Sequence, residues 1–404
     1  MEQGITTTQK TLLSLLANAL FSCDREIDES VDYISVWKEA YAQAVPMLPF
    51  SVVDAEKLSE TLHKEIAFKS RVFITKSMRV DAAHAELNNL LENAAIPYTV
   101  LKGYASAKYY PDYIMRAMGD VDFLIGEEHL EKASEILISQ GYEMSHENHD
   151  YHRVFQKGAI RLEMHFEPSG VPEGEKGDII RDYLKDAIDK SLCVKTDFGN
   201  VCVPSDFHHG LIILMHTAHH MTSGGIGLRQ LCDWAVFVSS LSDEAFVSLF
   251  EEKLRKAGLW HFACVITNVC RKYLGCPGCE WAGREDEELC LEIINDIFNA
   301  GNFGQKDEKR SQESLLISGG KKKKKSLLSQ LFASMNSIVY QKWGITRKLK
   351  FLLPIGWLFF GGRYIVRMLM GKRPKIHAVE ARNEAKERME IYDKLNLYEM
   401  DEGR

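Results

Sequence analysis

The stretch LKGYASAKYYPDYIMRAMGDVDFLI, Leu101 to Ile125, decides the fold. It closes on Asp-Val-Asp followed by Phe-Leu-Ile, two carboxylates one residue apart in what otherwise reads as a buried strand. Side chains two apart on a strand share a face. Asp120 and Asp122 are therefore expected to project together while Val121 and Phe123 enter the core. Paired carboxylates repel, and each is costly to desolvate. A divalent cation relieves both costs, and Mg²⁺ takes one or two carboxylates together with phosphate oxygens.

The flanking sequence supplies the rest of such a site. Ile96-Pro97 breaks a long helical pattern, and Tyr98 to Leu101 reads as a short strand. Lys102-Gly103 is a turn, and Tyr104 to Tyr110 a short helix stopped by Pro111. Gly103 permits close backbone approach, and the helix start offers amide groups to a phosphate. The Ser106 hydroxyl is a further candidate contact, and Lys102 and Arg116 bring positive charge to the same anion. Downstream, IRLEMHFE alternates Arg161, Glu163, His165 and Glu167 with Leu162, Met164 and Phe166, one wet face and one buried face. Glu163 is the candidate third carboxylate and His165 a candidate cofactor contact. No Walker A sequence occurs in the chain.

The remainder reads as helical modules around a small mixed sheet, an α+β organisation. Residues 1–95 form the first helical module and 96–204 the core, with further strand segments near Phe155, at 160–166 and as a hairpin from Val194 to Val203. Residues 205–300 read as a second helical domain, with helices from Ser205 to Met221, Ile226 to Ser239, Asp243 to Ala257, Trp260 to Leu274 and Asp286 to Asn299. A Lys-rich linker is expected over 301–325 and a basic, apolar helical segment over 326–404, its tail from Ala378 a charged helix.

Composition bounds these readings. The 404 residues are 45% hydrophobic and 26% charged, as in soluble globular proteins. Nine scattered cysteines fit a reducing cytosol better than a disulfide framework. No signal peptide is expected, and the longest uncharged apolar run near the C-terminus, Phe351 to Gly362, has 12 residues against the ~20 a spanning helix needs. Net charge is −7, yet residues 321–375 carry 14 Lys and Arg and no acid, leaving −7 − 14 = −21 elsewhere. Such segregation points to an anionic partner, with an anionic membrane surface and nucleic acid both open and a solvated linker the plain alternative.

These residues resemble the nucleotidyltransferase superfamily of DNA polymerase β-like fold. LKG…YYP…R…GDVDFLI followed by LEMHFE looks like an uncharacterised bacterial nucleotidyltransferase family that carries Leu-Lys-Gly where the superfamily has Gly-Ser or Gly-Gly. HTAHH…GLRQLCDWAVFV is similar to that family's helical region. The resemblance spans roughly residues 30–300, and more weakly LLPIGWLFFGGRYI. It implies metal-dependent transfer of a nucleoside monophosphate from an NTP, ATP foremost, to a hydroxyl acceptor it does not identify. Carried over by position, Asp120, Asp122 and Glu163 hold two Mg²⁺ ions and Gly103 shapes the phosphate turn. Lys102-Gly103-Tyr104 lacks the Ser that usually follows the glycine, so the triphosphate contact is made differently.

Plainer readings stand beside these. Asp-x-Asp is common at solvated strand ends, and Arg116 has Asp112 or Asp120 as possible ion-pair partners. His209, His216 and His220 fall on one helix face, a spacing that suits zinc, but HTAHH lacks the Glu of HExxH, and a packed or cleft-lining helix fits better. On that reading His216 and His219 are placed to reach the nucleotide cleft, and Asp233 to orient one of them or to pair with Arg229. Cys276-Pro-Gly-Cys279 follows a helix end and reads as structural thiols. The rival functions are a non-catalytic nucleotide-binding scaffold and a membrane-surface interaction protein.

Overall fold

The computed structural model describes residues 4–145, 151–172, 174–306, 310, 335–336, 339, 343, 350–369 and 388–398. Most of the expected Lys-rich linker, much of the basic segment and the start of the expected tail helix lie outside the described residues.

Three helices open the chain: α1 (Thr7–Phe21), α2 (Tyr33–Ala42) and the 34-residue α3 (Glu60–Asn93). Thr6 and Gln9 cap α1 reciprocally, and the Asp32 and Ser59 side chains accept amide bonds at the starts of α2 and α3. α3 contains neither Pro nor Gly and ends just before Pro97.

The central sheet has strands β1 (Tyr98–Val100), β2 (Val121–Ile125), β3 (Glu143–Met144), β4 (His152–Lys157) and β5 (Ile160–His165), in spatial order β1-β2-β5-β4-β3. β2 and β5 run parallel with Asp122 opposite Glu163, and the remaining pairs are antiparallel. The one-turn α4 (Tyr104–Ala107) and α5 (Leu130–Ser139) flank β2 in sequence, and α6 (Glu175–Leu184) follows β5. The expected hairpin forms as β6 (Leu192–Lys195) and β7 (Asn200–Val203), but as a separate two-stranded sheet. It packs beside β1, where the Cys202 amide donates to the Tyr98 hydroxyl at 3.3 Å.

The C-terminal half is helical, with α7 (Asp206–Thr222), α8 (Leu228–Val238), α9 (Asp243–Ala257), α10 (Trp260–Val269) and α11 (Glu287–Ala300). α10 continues into a π-helical turn, Cys270–Leu274, ended by the left-handed Gly275. Far along the chain lies α12 (Leu353–Leu369). The described tail is helical over 388–394, and its Arg388 guanidinium and Tyr392 hydroxyl donate to the Met221 carbonyl at the end of α7.

Alternation on β2 and β5 divides the apolar residues between two cores. Val121, Phe123, Ile125, Leu162 and Met164 pack with α3 and α5. Leu124 and Leu101 instead join a larger core made by α1, α2 and α7 to α11. The acidic row of β2 and β5 therefore faces the seam between the cores.

Within α3, Asp81 is buried and neither carboxylate oxygen has a hydrogen-bond partner among the described residues. Burial, reinforced by Asp197, pushes its pKa from 3.8 up to about 6. A raised folded pKa adds stability below the unfolded value that is lost as pH rises through the folded one. Asp81→Asn should therefore stabilise the protein at pH ~8 by on the order of 1–3 kcal/mol, the gain vanishing near pH ~4, as read by urea unfolding at the two pH values.

Candidate active site

The site is built around one buried carboxylate. Asp122 sits mid-β2 with only 9% of its surface exposed. Its Oδ1 lies 3.1 Å from Lys102 Nζ and 3.2 Å from His165 Nε2. Burial alone would favour the neutral acid, but the Lys102 ammonium and the His165 hydrogen bond outweigh it and hold the carboxyl well below its usual range. Glu163, opposite Asp122 in the parallel register, accepts from Arg161 at 2.8 Å and has His165 at 3.7 Å. Burial opposes its ionisation too, and His165 and Arg161 bring its pKa down against the pull of Asp122. His165 responds in the opposite sense: burial disfavours its cation, but Asp122 and Glu163 raise its pKa.

Among the described residues, Asp122, Glu163 and His165 form a group whose donor atoms all lie within 4.8 Å of one another. Asp120 is not a member. β2 begins at Val121, so the two-residue alternation that would aim Asp120 beside Asp122 does not extend to it. Its side chain is 46% exposed and pairs with Arg161 at 3.4 Å. It still senses the cluster, since burial, then Glu163 and Asp122, raise its pKa against Arg161. The expected carboxylate triad is thus two acids and a histidine at short range, with Asp120 at the rim.

The phosphate turn also differs in detail. Gly103 does turn the chain, with φ +64°, a region that favours glycine. The helix after it is one turn long, and the amides of Ala105, Ser106 and Ala107 bond the Lys102 and Gly103 carbonyls. Those amides are spent within the turn. The Ser106 hydroxyl is enclosed, with no hydrogen-bond partner among the described residues. Arg116 pairs with neither Asp112 nor Asp120. It forms a buried two-pronged bond to Asp233 on α8, at 2.7 Å from both Nε and Nη2, and Tyr110 donates to the same carboxylate at 2.8 Å.

Helix α7 completes the site. His216 Nε2 lies 3.2 Å from Lys102 Nζ and 2.9 Å from His220 Nε2. Burial, Lys102 and His220 depress the His216 pKa strongly, so it is neutral. His209 does not join them; it stacks on Tyr109 and contacts Phe237, which removes the three-histidine zinc arrangement. Asp233 orients no histidine. Between α7, α8 and the sheet lies a cavity of about 40 Å³ lined by Lys102, Arg116, His216, Arg229 and Asp233 among others. Arg229 has no carboxylate within ion-pair distance among the described residues, contacts the Ala117 carbonyl at 3.4 Å and lies over the Phe303 ring. Burial and Arg116 lower its pKa. Sequence reasoning had treated Arg229 only as a partner for Asp233. The available signal was the four-residue spacing of Arg229 and Asp233, mirrored by His216 and His220, which puts each pair on one helix face.

The sequence matches the family described as uncharacterised nucleotidyltransferase over residues 35–275, more than half of the chain. The chain belongs to this nucleotidyltransferase family. No curated protein matches it. Two solved structures resemble parts of it. The antibiotic-resistance factor ANT(2'')-Ia is 16% identical over 46% of this chain and 96% of its own, with a TM-score of 0.32. An antigenic nucleotidyltransferase-like protein from Paracoccidioides brasiliensis is 14% identical over 53% of this chain and 95% of its own, with a TM-score of 0.31.

In this nucleotidyltransferase the Arg116–Asp233 pair ties the segment before β2 to α8. Removing one member strands a buried charge. Asp233→Ala should lower unfolding free energy by about 3–5 kcal/mol in urea titrations, and Arg116→Met with Asp233→Leu should recover most of that loss.

Proposed function

We propose that this protein is a Mg²⁺-dependent nucleotidyltransferase that moves a nucleoside monophosphate from an NTP, ATP foremost, to a hydroxyl acceptor. The observation that carries the reading is the register of Asp122 with Glu163 on parallel neighbouring strands, closed by His165, beside a cation-rich cavity.

The donor set fits a hard divalent ion. Asp122 and Glu163 supply ionised oxygens held below their usual pKa, and Asp120 adds a third carboxylate within electrostatic range. Asp120, Asp122 and Glu163 would hold the ion or ion pair, with His165 fixing the Asp122 and Glu163 carboxylates between them. Bound Mg²⁺ would supply charge neutralisation of the phosphates and activation of the acceptor hydroxyl.

The chain's own residues then bind and orient the triphosphate. Lys102 spans the acids and the cavity, touching Asp122 on one side and His216 on the other. His216 Nε2 lies within hydrogen-bond distance of both Lys102 Nζ and His220 Nε2, the donor between the two rings being set by their tautomers. The ammonium has three N–H groups, so beyond Asp122 and His216 one is left to donate to a phosphate oxygen. Arg229 is placed to hold the pyrophosphate end of the nucleotide, while Arg116, saturated by Asp233, fixes the cavity wall. Gly103 lets the backbone turn directly beneath Lys102. Positioning and preorganised charge carry this chemistry.

The test is thermal shift with NTP in the presence and absence of Mg²⁺, paired with transfer of label from α-labelled NTP. The native protein should show a Mg²⁺-dependent rise in melting temperature that Asp122→Asn with Glu163→Gln abolishes. Arg229→Gln should weaken NTP binding about tenfold or more while leaving Mn²⁺ binding alone intact. An equal shift in the native and acid-less proteins would sink the site. Binding without turnover across acceptor classes would assign a non-catalytic scaffold.

A further inference from the structure

Among the described residues α12 does not line the site, yet it shows a feature that calls for a partner. Phe351, Ile355, Leu358 and Phe359 are exposed by 72%, 55%, 79% and 52%. Ile355, Leu358 and Phe359, spaced three and one residues apart, lie on one stripe of α12, and Phe351 sits on the 3₁₀ turn that leads into it, Lys350–Leu352. The other side of α12 is occupied: Gly356 lies against Val339, and Trp357 Nε1 donates to Asn336 at 3.1 Å. Exposed Arg363 follows the stripe. Four large neighbouring apolar side chains in water make an unfavourable surface unless something covers it.

Charge identifies what covers it. Residues 321–375 carry 14 basic residues and no acid. A second copy of the chain would bring one basic segment toward another of like charge. Nucleic acid would satisfy the charge, and bases could stack on the phenylalanines, but Ile355 and Leu358 offer it nothing. An anionic lipid surface satisfies both halves, since headgroup phosphates meet the Lys and Arg while acyl chains receive the stripe. No helix among the described residues is long and apolar enough to cross a membrane, which leaves docking in the plane of the interface. We propose that α12 docks this face on an anionic lipid surface.

Co-sedimentation of the full chain with vesicles tests this. It should pellet with phosphatidylcholine–phosphatidylglycerol vesicles, remain in solution with phosphatidylcholine alone, and lose about tenfold or more of its partition between ~0.05 and ~0.5 M salt. Leu358→Glu with Phe359→Glu should abolish pelleting without changing the melting temperature, and the milder double Ala variant should weaken it. No pelleting, or equal pelleting by the Glu variant, overturns the proposal. So does single-stranded RNA binding, or a dimer, that the Glu variant loses while the native chain ignores vesicles.

A separate observation concerns the β6–β7 hairpin. Cys193 and Cys202 are register partners, their Sγ atoms 3.0 Å apart, with Cys193 exposed. Sulfurs this close across an antiparallel pair need little backbone movement to join. We infer that the pair forms a reversible disulfide by exchange with a small-molecule disulfide. The Cys193 thiolate attacks that disulfide and releases one thiol. Cys202, giving up its proton, then attacks the Cys193 sulfur and releases the second. Two protein thiols and one external disulfide become one protein disulfide and two external thiols. Incubation with oxidised glutathione, alkylation and peptide mass spectrometry should reveal a Cys193–Cys202 link that dithiothreitol removes, and Cys202→Ser should stop at a glutathione adduct on Cys193. Full alkylation of both thiols, or a persistent adduct in the native chain, overturns the inference.

Discussion

The structure depends on keeping Asp122 ionised inside a sheet. Its neighbours Val121 and Phe123 are fully buried, so the residue has no route to bulk water along the strand. A desolvated carboxylate needs countercharge and donors at short range. Lys102 comes from the neighbouring strand's end, and His165 lies two residues past Glu163, the register partner of Asp122. Each requirement propagates. Lys102 must stand just after β1, which forces the immediate turn at Gly103. Gly103 backs onto His84, a buried histidine held neutral by burial at a pKa of about 4.

On the far side of Lys102 the protein supplies a neutral base rather than a second acid. His216 and His220 are partly buried beside cations, and His220 is driven down to about 3 by burial, His219 and Lys102. Neutral imidazoles give Lys102 no countercharge on the side away from Asp122 and leave Arg229 without one among the described residues, whereas Arg116 is neutralised by Asp233. The cavity therefore carries a charge excess opposite in sign to the acids across Lys102. Juxtaposed seats of opposite preference suit a cation and the polyanion it accompanies.

Much of this was legible in the sequence, for local reasons. Strand alternation found Asp122, Glu163 and His165 because period-2 patterning survives burial on one face. The helices of the C-terminal half followed from periodicity, and the Gly103 turn from its Lys-Gly dipeptide. What was not legible depended on long-range pairing or on where an element starts. Asp120 precedes the strand by one residue, so the alternation does not bind it. Arg116 and Asp233 are 117 residues apart, and nothing local says that they meet. The short helix after Gly103 could not be seen to consume its own amides, nor the Ser106 hydroxyl to turn inward.

The pairing at Asp122 also sets terms for the proposed reaction. A divalent ion held by Asp122 would compete with Lys102 for the same oxygen, and the lysine would be the natural member to move. Its side chain is 22% exposed on a flexible stem, and its second partner, His216, is neutral. Leaving Asp122 costs Lys102 an ion pair in a site already rich in Arg116 and Arg229. An anion in the cavity offsets that cost, and a metal ion arriving alone does not. Metal and triphosphate should therefore bind more tightly together than either does alone, with Lys102 as the mechanical link.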